Sequence, residues 1–240
     1  MLVEVCANSL ESAVNAEKAG ADRIELCSEL AVGGITPSYG LLKSVKENIG
    51  IPVHVLIRPR SGDFSYTDGE FDIMKRNIAL CVEMGFDGIV SGVLHTDLTL
   101  DVGRTKLLVE LSKNLKFTFH RAFDWVLDPL HTMRQLEGLG VDYILSSGQE
   151  KSALEGIGLL SGLQDEAMLC TMMPGSGINA GNAHRFKESG FKAVHLSGTS
   201  FEPRLKVTPK VPMNTASFLK DQGVFVSNVA AIQKVLKEVK

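Results

Sequence analysis

Apolar and polar positions alternate with a period of two in short runs along this chain, and longer runs of helical periodicity separate them. In Leu2-Val3-Glu4-Val5-Cys6, Val3 and Val5 share one face while Glu4 and Cys6 share the other. Runs of this kind predict strands over 2–6, 22–27, 52–58, 86–91, 116–121, 141–146, 167–173 and 191–197. Helices are predicted over 12–19, 38–48, 71–84, 102–112, 129–139 and 179–188, and a terminal one over 228–237. Thr36-Pro37 has the form of an N-cap followed by proline in the first helical turn. The segment 199–223 is long and poorly periodic.

The strand-to-strand spacing of about 30 residues is that of a βα unit in a parallel sheet. Eight such units predict an α/β fold, a TIM (β/α)8 barrel, with residues 1–240 forming a single domain. Its strands would occupy 2–197, with a C-terminal elaboration over 199–240. A dinucleotide-binding sheet is disfavoured, because Asn8-Ser9-Leu10 stands where a GxGxxG turn would follow the first strand. No nucleotide cofactor is expected.

Helices cover the outside of such a barrel, so the Val/Ile/Leu faces point out and the polar faces point toward the axis. That parity sends Glu4, Cys6, Glu25 and Cys27 inward. Buried carboxylates need partners, and the same alternation offers Arg58 from strand three and His120 from strand five. His195 and Ser197 join them from strand eight. These groups are expected at the C-terminal mouth, where loops from different strands meet. Pro174-Gly175-Ser176-Gly177 and Ser197-Gly198-Thr199-Ser200 follow the last two strands; their Gly175, Gly177, Ser197 and Gly198 could cradle a phosphate.

Composition narrows the partners. The 25 basic and 28 acidic side chains give a formal charge of -3, so no global positive field favours nucleic acid or an anionic membrane. No apolar run is long enough to span a bilayer, and the first residues lack the plan of a secretory signal. The cysteines Cys6, Cys27, Cys81 and Cys170 are widely spaced without paired zinc-type motifs, which favours free thiols in a reducing cytoplasm.

Two chemistries fit these residues. In the first, Glu4 or Glu25 is a base, His120 or His195 shuttles a proton, and Arg58 binds a small anionic or phosphorylated metabolite. In the second, the thiols of Cys6 and Cys27 on neighbouring strands hold Cu(I), although such ligands also accept zinc. Cys170 and Met172 share a strand face but pack equally well as core, and Cys81 belongs to a helix interior. His131 and His184 fall on helices away from the mouth, His95 after strand four could line a loop site or simply form a turn, and Asp124-Trp125 could donate to and cover a ligand.

The longer combinations resemble the CutC copper-homeostasis family. They are Glu4-Val5-Cys6, Ala21 through Cys27, Gly33-Gly34-Ile35-Thr36-Pro37-Ser38, Val53 through Arg60, Gly62-Asp63-Phe64, Gly92-Val93-Leu94, Phe119 through Asp124, Ser147-Gly148-Gln149 and Ser152 through Gly156. The resemblance implies a TIM barrel, a cytoplasmic location, self-association with a dimer as the expected form, and intracellular copper handling. It implies copper binding at Cys6 and Cys27 and a polar mouth of Glu4, Glu25, Arg58, His120 and Arg121. Pro174-Gly175-Ser176-Gly177 departs from the family's triple glycine by one serine. Copper homeostasis with Cu(I) is therefore the leading expectation, and an enzyme acting on a small anionic metabolite is the alternative.

Overall fold

The computed structural model describes residues 1–214 and 219–240. Eight parallel strands, β1 (Leu2–Ala7), β2 (Arg23–Leu26), β3 (Val53–Leu56), β4 (Gly88–Ser91), β5 (Lys116–Phe119), β6 (Tyr143–Ser146), β7 (Thr171–Pro174) and β8 (Ala193–Leu196), alternate with helices. The ladder runs in sequence order from β7 back to β1 and then to β8. A single parallel bridge between Gly175 and His195 lies across the remaining seam. This is the expected TIM barrel.

The outward parity holds throughout. Val3, Val5, Ile24, Leu26, Val53 and Val55 join one large core with Ala13 and Ala16 of α1 (Leu10–Ala19) and with Leu42 and Val45 of α2 (Tyr39–Asn48). Burying each large aliphatic side chain contributes about 1.5–3 kcal/mol, so this face sets the register of every strand. Smaller clusters fill the barrel itself: Leu145, Met173 and Ala193 form one, and Cys6, Cys27, Leu56 and Val90 form another.

The helices α3 (Asp68–Glu83), α4 (Val102–Leu111), α5 (Pro129–Gly138), α6 (Ile157–Glu166) and α7 (Ala183–Glu188) continue the outer ring. The elaboration after β8 begins with an antiparallel hairpin, β9 (Thr199–Pro203) with β10 (Gly223–Ser227). The helix α8 (Val229–Val239) follows and packs against both α1 and α7, the place of an eighth barrel helix. Its buried stripe is Ile232, Val235, Leu236 and Val239.

Three local expectations change. Ser38, not Thr36, caps α2, its side chain accepting from Leu41 N at 3.3 Å. The Thr36 hydroxyl instead accepts from Arg58 N at 2.8 Å, tying the loop after β2 to the end of β3. The seventh strand starts at Thr171 rather than at residue 167, because Met168, Leu169 and Cys170 donate their N–H groups to the Glu137 carboxylate instead of to a neighbouring strand. The poorly periodic segment begins with β9 and leads into β10, and their pairing is a long-range contact that local pattern does not carry.

One glycine is demanded by the barrel interior. A Cβ on Gly88 would lie 2.4 Å from the His54 ring, which is only 2% exposed. Gly88→Ala should therefore destabilise the fold by about 1–3 kcal/mol, measured by urea unfolding; a loss within about 0.5 kcal/mol would mean that the ring has room to move.

Candidate functional site

At the C-terminal end of the strands lies a cavity of about 410 Å³. Among its walls are Cys6, Glu25, Arg58, His120 and His195, five of the side chains expected there, with Gly177 and Ser197 from the last two loops. Glu4 and Cys27 do not line it: Glu4 lies buried beneath the floor and Cys27 beside Cys6. Gly175 and Gly198 also stand off the wall. Gly175 packs so close to Leu145 that a Cβ would come within 2.5 Å, and Gly198 borders a separate groove against α8.

The carboxylate partners are not those expected from the sequence. Glu4 is paired with Arg23, Nε to Oε2 at 2.6 Å, and with His195, Nδ1 to Oε1 at 2.8 Å. Arg23 sits opposite Glu4 in the β1–β2 register and stacks 4.2 Å over the Tyr143 ring. Its signal was present, since Arg23 has the same strand parity as Glu25. Burial alone would raise the pKa of Glu4, but Arg23 and then His195 outweigh it and hold the carboxyl at about 2.

Among the described residues Glu25 has no arginine in ion-pair range. Its Oε1 accepts from the Cys6 thiol at 3.4 Å, and Oε2 is buried without a hydrogen-bond partner among the described residues, 4.0 Å from His195 Nδ1. Burial raises its pKa above the usual carboxylate value, against the opposing pull of His195. Burial disfavours charge on His195 as well, but the neighbouring Glu25 and Glu4 raise its pKa. The Cys6 thiol is pushed well up by its contact with Cys27, Sγ to Sγ 3.5 Å, then by burial and Glu25. Cys6 is thereby held as a neutral donor.

His120 occupies the N-cap of the 3-10 turn Arg121–Trp125 and accepts from Ala122 N through Nδ1 at 3.2 Å. That bond fixes the tautomer, leaving the proton on Nε2, which is buried and has no partner among the described residues. Burial and the nearby Arg58 lower its pKa to about 3, so the ring is neutral across the physiological range. Gly92 makes room for it: a Cβ there would lie 2.7 Å from the ring.

Arg58 does not pair with Glu4 or Glu25. It donates to three loop carbonyls, those of Val32, Gly34 and Gly62, at 2.8–2.9 Å. Among the described residues it has no carboxylate within ion-pair range. Phe64, marked in the sequence only as part of a motif, packs 4.8 Å from both His120 and Trp125 and 5.1 Å below Arg58. Asp124 is spent on scaffolding, receiving Arg121 at 2.7 Å and Ser147 N at 2.9 Å. Trp125 leaves 45% of its surface exposed at the rim. Cys81 lies in the core, and Cys170 lies outside the mouth beside Glu137.

The CutC family model matches residues 1–200. The chain belongs to the CutC family. It is 44% identical over 196 residues to the CutC family protein of Salmonella typhimurium, an alignment covering 82% of this chain and 79% of that one. The CutC family protein of Enterobacter sp. strain 638 is 45% identical over 202 residues, covering 84% and 82%. A crystal structure of CutC from Streptococcus agalactiae superposes with a TM-score of 0.78 at 35% identity, covering 82% of this chain and 98% of that chain. Thiamine phosphate pyrophosphorylase from Pyrococcus furiosus, with a TM-score of 0.61 at 14% identity over 99% and 95% of the two chains, shares the fold. Relative to the CutC family model, β10 and α8 lie beyond the matched residues.

Proposed function

We propose that this CutC family member is an enzyme that moves a proton next to a carbonyl group of a small anionic metabolite. Glu25 is the base, the neutral His120 donates from Nε2 to the carbonyl oxygen, and His195, held by Glu4, returns a proton. The observation that carries this reading is that Glu25 Oε2 and His120 Nε2 are both buried without partners among the described residues and belong to side chains in the walls of one cavity. An unpaired buried polar atom costs about 1–3 kcal/mol; a substrate carbonyl would accept from His120 Nε2 and would bring its acidic α C–H to Glu25 Oε2 as the proton to be removed. The neutral imidazole strengthens its bond as negative charge develops on the oxygen.

An exchange assay tests this with the substrate still unidentified. Protein in D₂O is incubated with sets of small oxo acids and sugar phosphates, and loss of the α-proton signal is followed by NMR. Wild-type protein should exchange at least one member and Glu25→Gln should not; exchange by neither, or equally by both, would remove Glu25 as the base.

A soft-metal site is the second reading, favoured by one geometric fact. A sulfur of Cys6, an oxygen of Glu25 and a nitrogen of His195 lie within 4.8 Å of one another. The Glu4–His195 bond also orients the imidazole in the manner of a carboxylate-supported metal ligand. This mixed donor set suits a borderline divalent ion, while Cys27 would add the second sulfur that Cu(I) prefers. Such a metal would have to displace the Cys6 proton, and the thiol's raised pKa works against that. Copper tolerance remains the family-level reading this site would serve. In a competition titration of the reduced protein against a chromophoric Cu(I) chelator, Cys6→Ala should weaken binding by about tenfold or more, and affinity should rise with pH. Equal affinity in the two proteins would exclude Cys6 as a ligand.

A further inference from the structure

The proton-transfer reading leaves one wall of the cavity unused. Ser176, Gly177, Ile178 and Ser197, from the loops after β7 and β8, line it and bring no carboxylate of their own. The backbone is bent into the left-handed region at Ser176, with φ 86°, and at Gly177, with φ 74°. Ser176 Oγ is anchored on the Lys151 carbonyl at 3.0 Å, and Gly177 O receives Asn179 Nδ2 and Asn182 Nδ2 at 2.9 Å each. The loop is thus held through its hydroxyl and carbonyl groups. The N–H groups of Gly177, Ile178 and Ser197 make no hydrogen bond among the described residues.

One cation of the cavity stands without a counter-charge in contact. Among the described residues Glu25 is the single carboxylate in its walls, against the guanidinium groups of Arg58 and Arg121, while the imidazole of His195 is already matched by Glu4 at 2.8 Å. Arg121 is compensated by Asp124, but Arg58 is 6% exposed and bonded only to neutral carbonyls. A buried cation without a counter-charge is costly. An anion inside the cavity removes that cost.

We propose that the loops after β7 and β8 bind the phosphoryl group of a phosphorylated carbonyl compound, whose carbonyl end reaches His120. This rests on the proton-transfer reading for the orientation of the compound, while the phosphoryl site stands on the loops. Free main-chain N–H groups in a tight, side-chain-poor turn match the several acceptor oxygens of a phosphate. His120 Nε2 in the same cavity, buried and without a partner among the described residues, independently calls for an acceptor from a ligand. A volume of about 410 Å³ accommodates both ends of a small sugar or keto-acid phosphate.

The probes are inorganic phosphate and methyl phosphate, with acetate as the carboxylate arm. Binding is read from ³¹P line width and from the emission of Trp125, the one tryptophan in the sequence. Phosphate should bind saturably and acetate should not compete at equal concentration. Ser197 is exposed, so Ser197→Asp should fold normally and weaken phosphate binding by about tenfold or more through like-charge repulsion. Ser197→Ala keeps the main-chain N–H and should bind within about threefold of wild type. No saturable binding, equal binding by Ser197→Asp, or acetate binding as well as phosphate would each overturn the proposal. Glu25→Gln separates the two ideas: it should still bind phosphate, so loss of exchange with retained phosphate binding concerns the base and leaves the phosphoryl site intact.

Discussion

Arg23→Ala is expected to lower the free energy of unfolding at pH 7 by about 3–5 kcal/mol, the usual cost of stranding one member of a buried ion pair. Arg23 is 4% exposed and Glu4 fully buried, with 2.6 Å between Nε and Oε2. Removing the guanidinium leaves the Glu4 carboxylate with His195 alone and deletes the stack on Tyr143. Arg23→Met/Glu4→Gln, which removes both charges, should recover more than half of the loss. Urea unfolding followed by circular dichroism measures this, and a single-variant loss below about 1 kcal/mol would show that the pair is not what holds Glu4 charged.

The same network predicts the acid limb of the stability curve. Glu4 is held at about 2 against an ordinary 4.5, so its contribution is complete above pH 4.5 and is lost as pH falls toward 2. His54 and His120 work over a higher window. Burial, reinforced by Arg23 for His54 and by Arg58 for His120, lowers them to about 4 and about 3 from 6.5. The unfolded chain takes up those protons first, so stability should begin to fall below pH 6.5 and continue falling to about pH 3. In Arg23→Ala the His54 part of that limb should become shallower.

Glu25→Gln should reduce proton exchange by about 10²–10⁴, the range for removing a general base, while stabilising the fold at neutral pH. The two signs have one cause. Glu25 has a raised pKa because burial penalises its charge, so its ionised form destabilises the native state as pH rises above 4.5. An amide of the same shape removes that penalty. The stability gain over wild type should be present at pH 7 and vanish below about pH 4.5. Thermal unfolding at the two pH values, alongside the exchange assay, decides the matter. A variant that loses stability at pH 7 would mean that the carboxylate holds the barrel together instead of serving a ligand.

Much of the mouth was legible because strand parity is a local property. Once Val3 and Val5 face the helices, Glu4 and Cys6 have only the interior left, and the same step places Glu25 and His195. Parity names the face but not the depth. Glu4 and Glu25 have equal parity on adjacent strands, yet Glu4 pairs in register with Arg23 while Cys6 pairs with Glu25. That stagger puts one carboxylate under the floor with an arginine and the other in the cavity without one. Arg58 had the right position and the wrong partner, because its guanidinium is taken by carbonyls of loops whose paths a single sequence does not reveal. Cys170 was drawn into a strand by its apolar neighbours, whereas Glu137 on α5 captured the main chain there.

By itself the sequence determined the eightfold βα rhythm, the outward aliphatic faces and the set of polar side chains that had to enter the barrel. Those follow from periodicity and from the cost of exposing hydrocarbon, which act over a few residues. Only the tertiary structure decided which inward groups neutralise one another and which remain unmatched. Pairing depends on stagger between strands and on loops brought together from distant parts of the chain: in this register Arg23 falls opposite Glu4 and Cys6 opposite Glu25, which separates the scaffold from the chemistry.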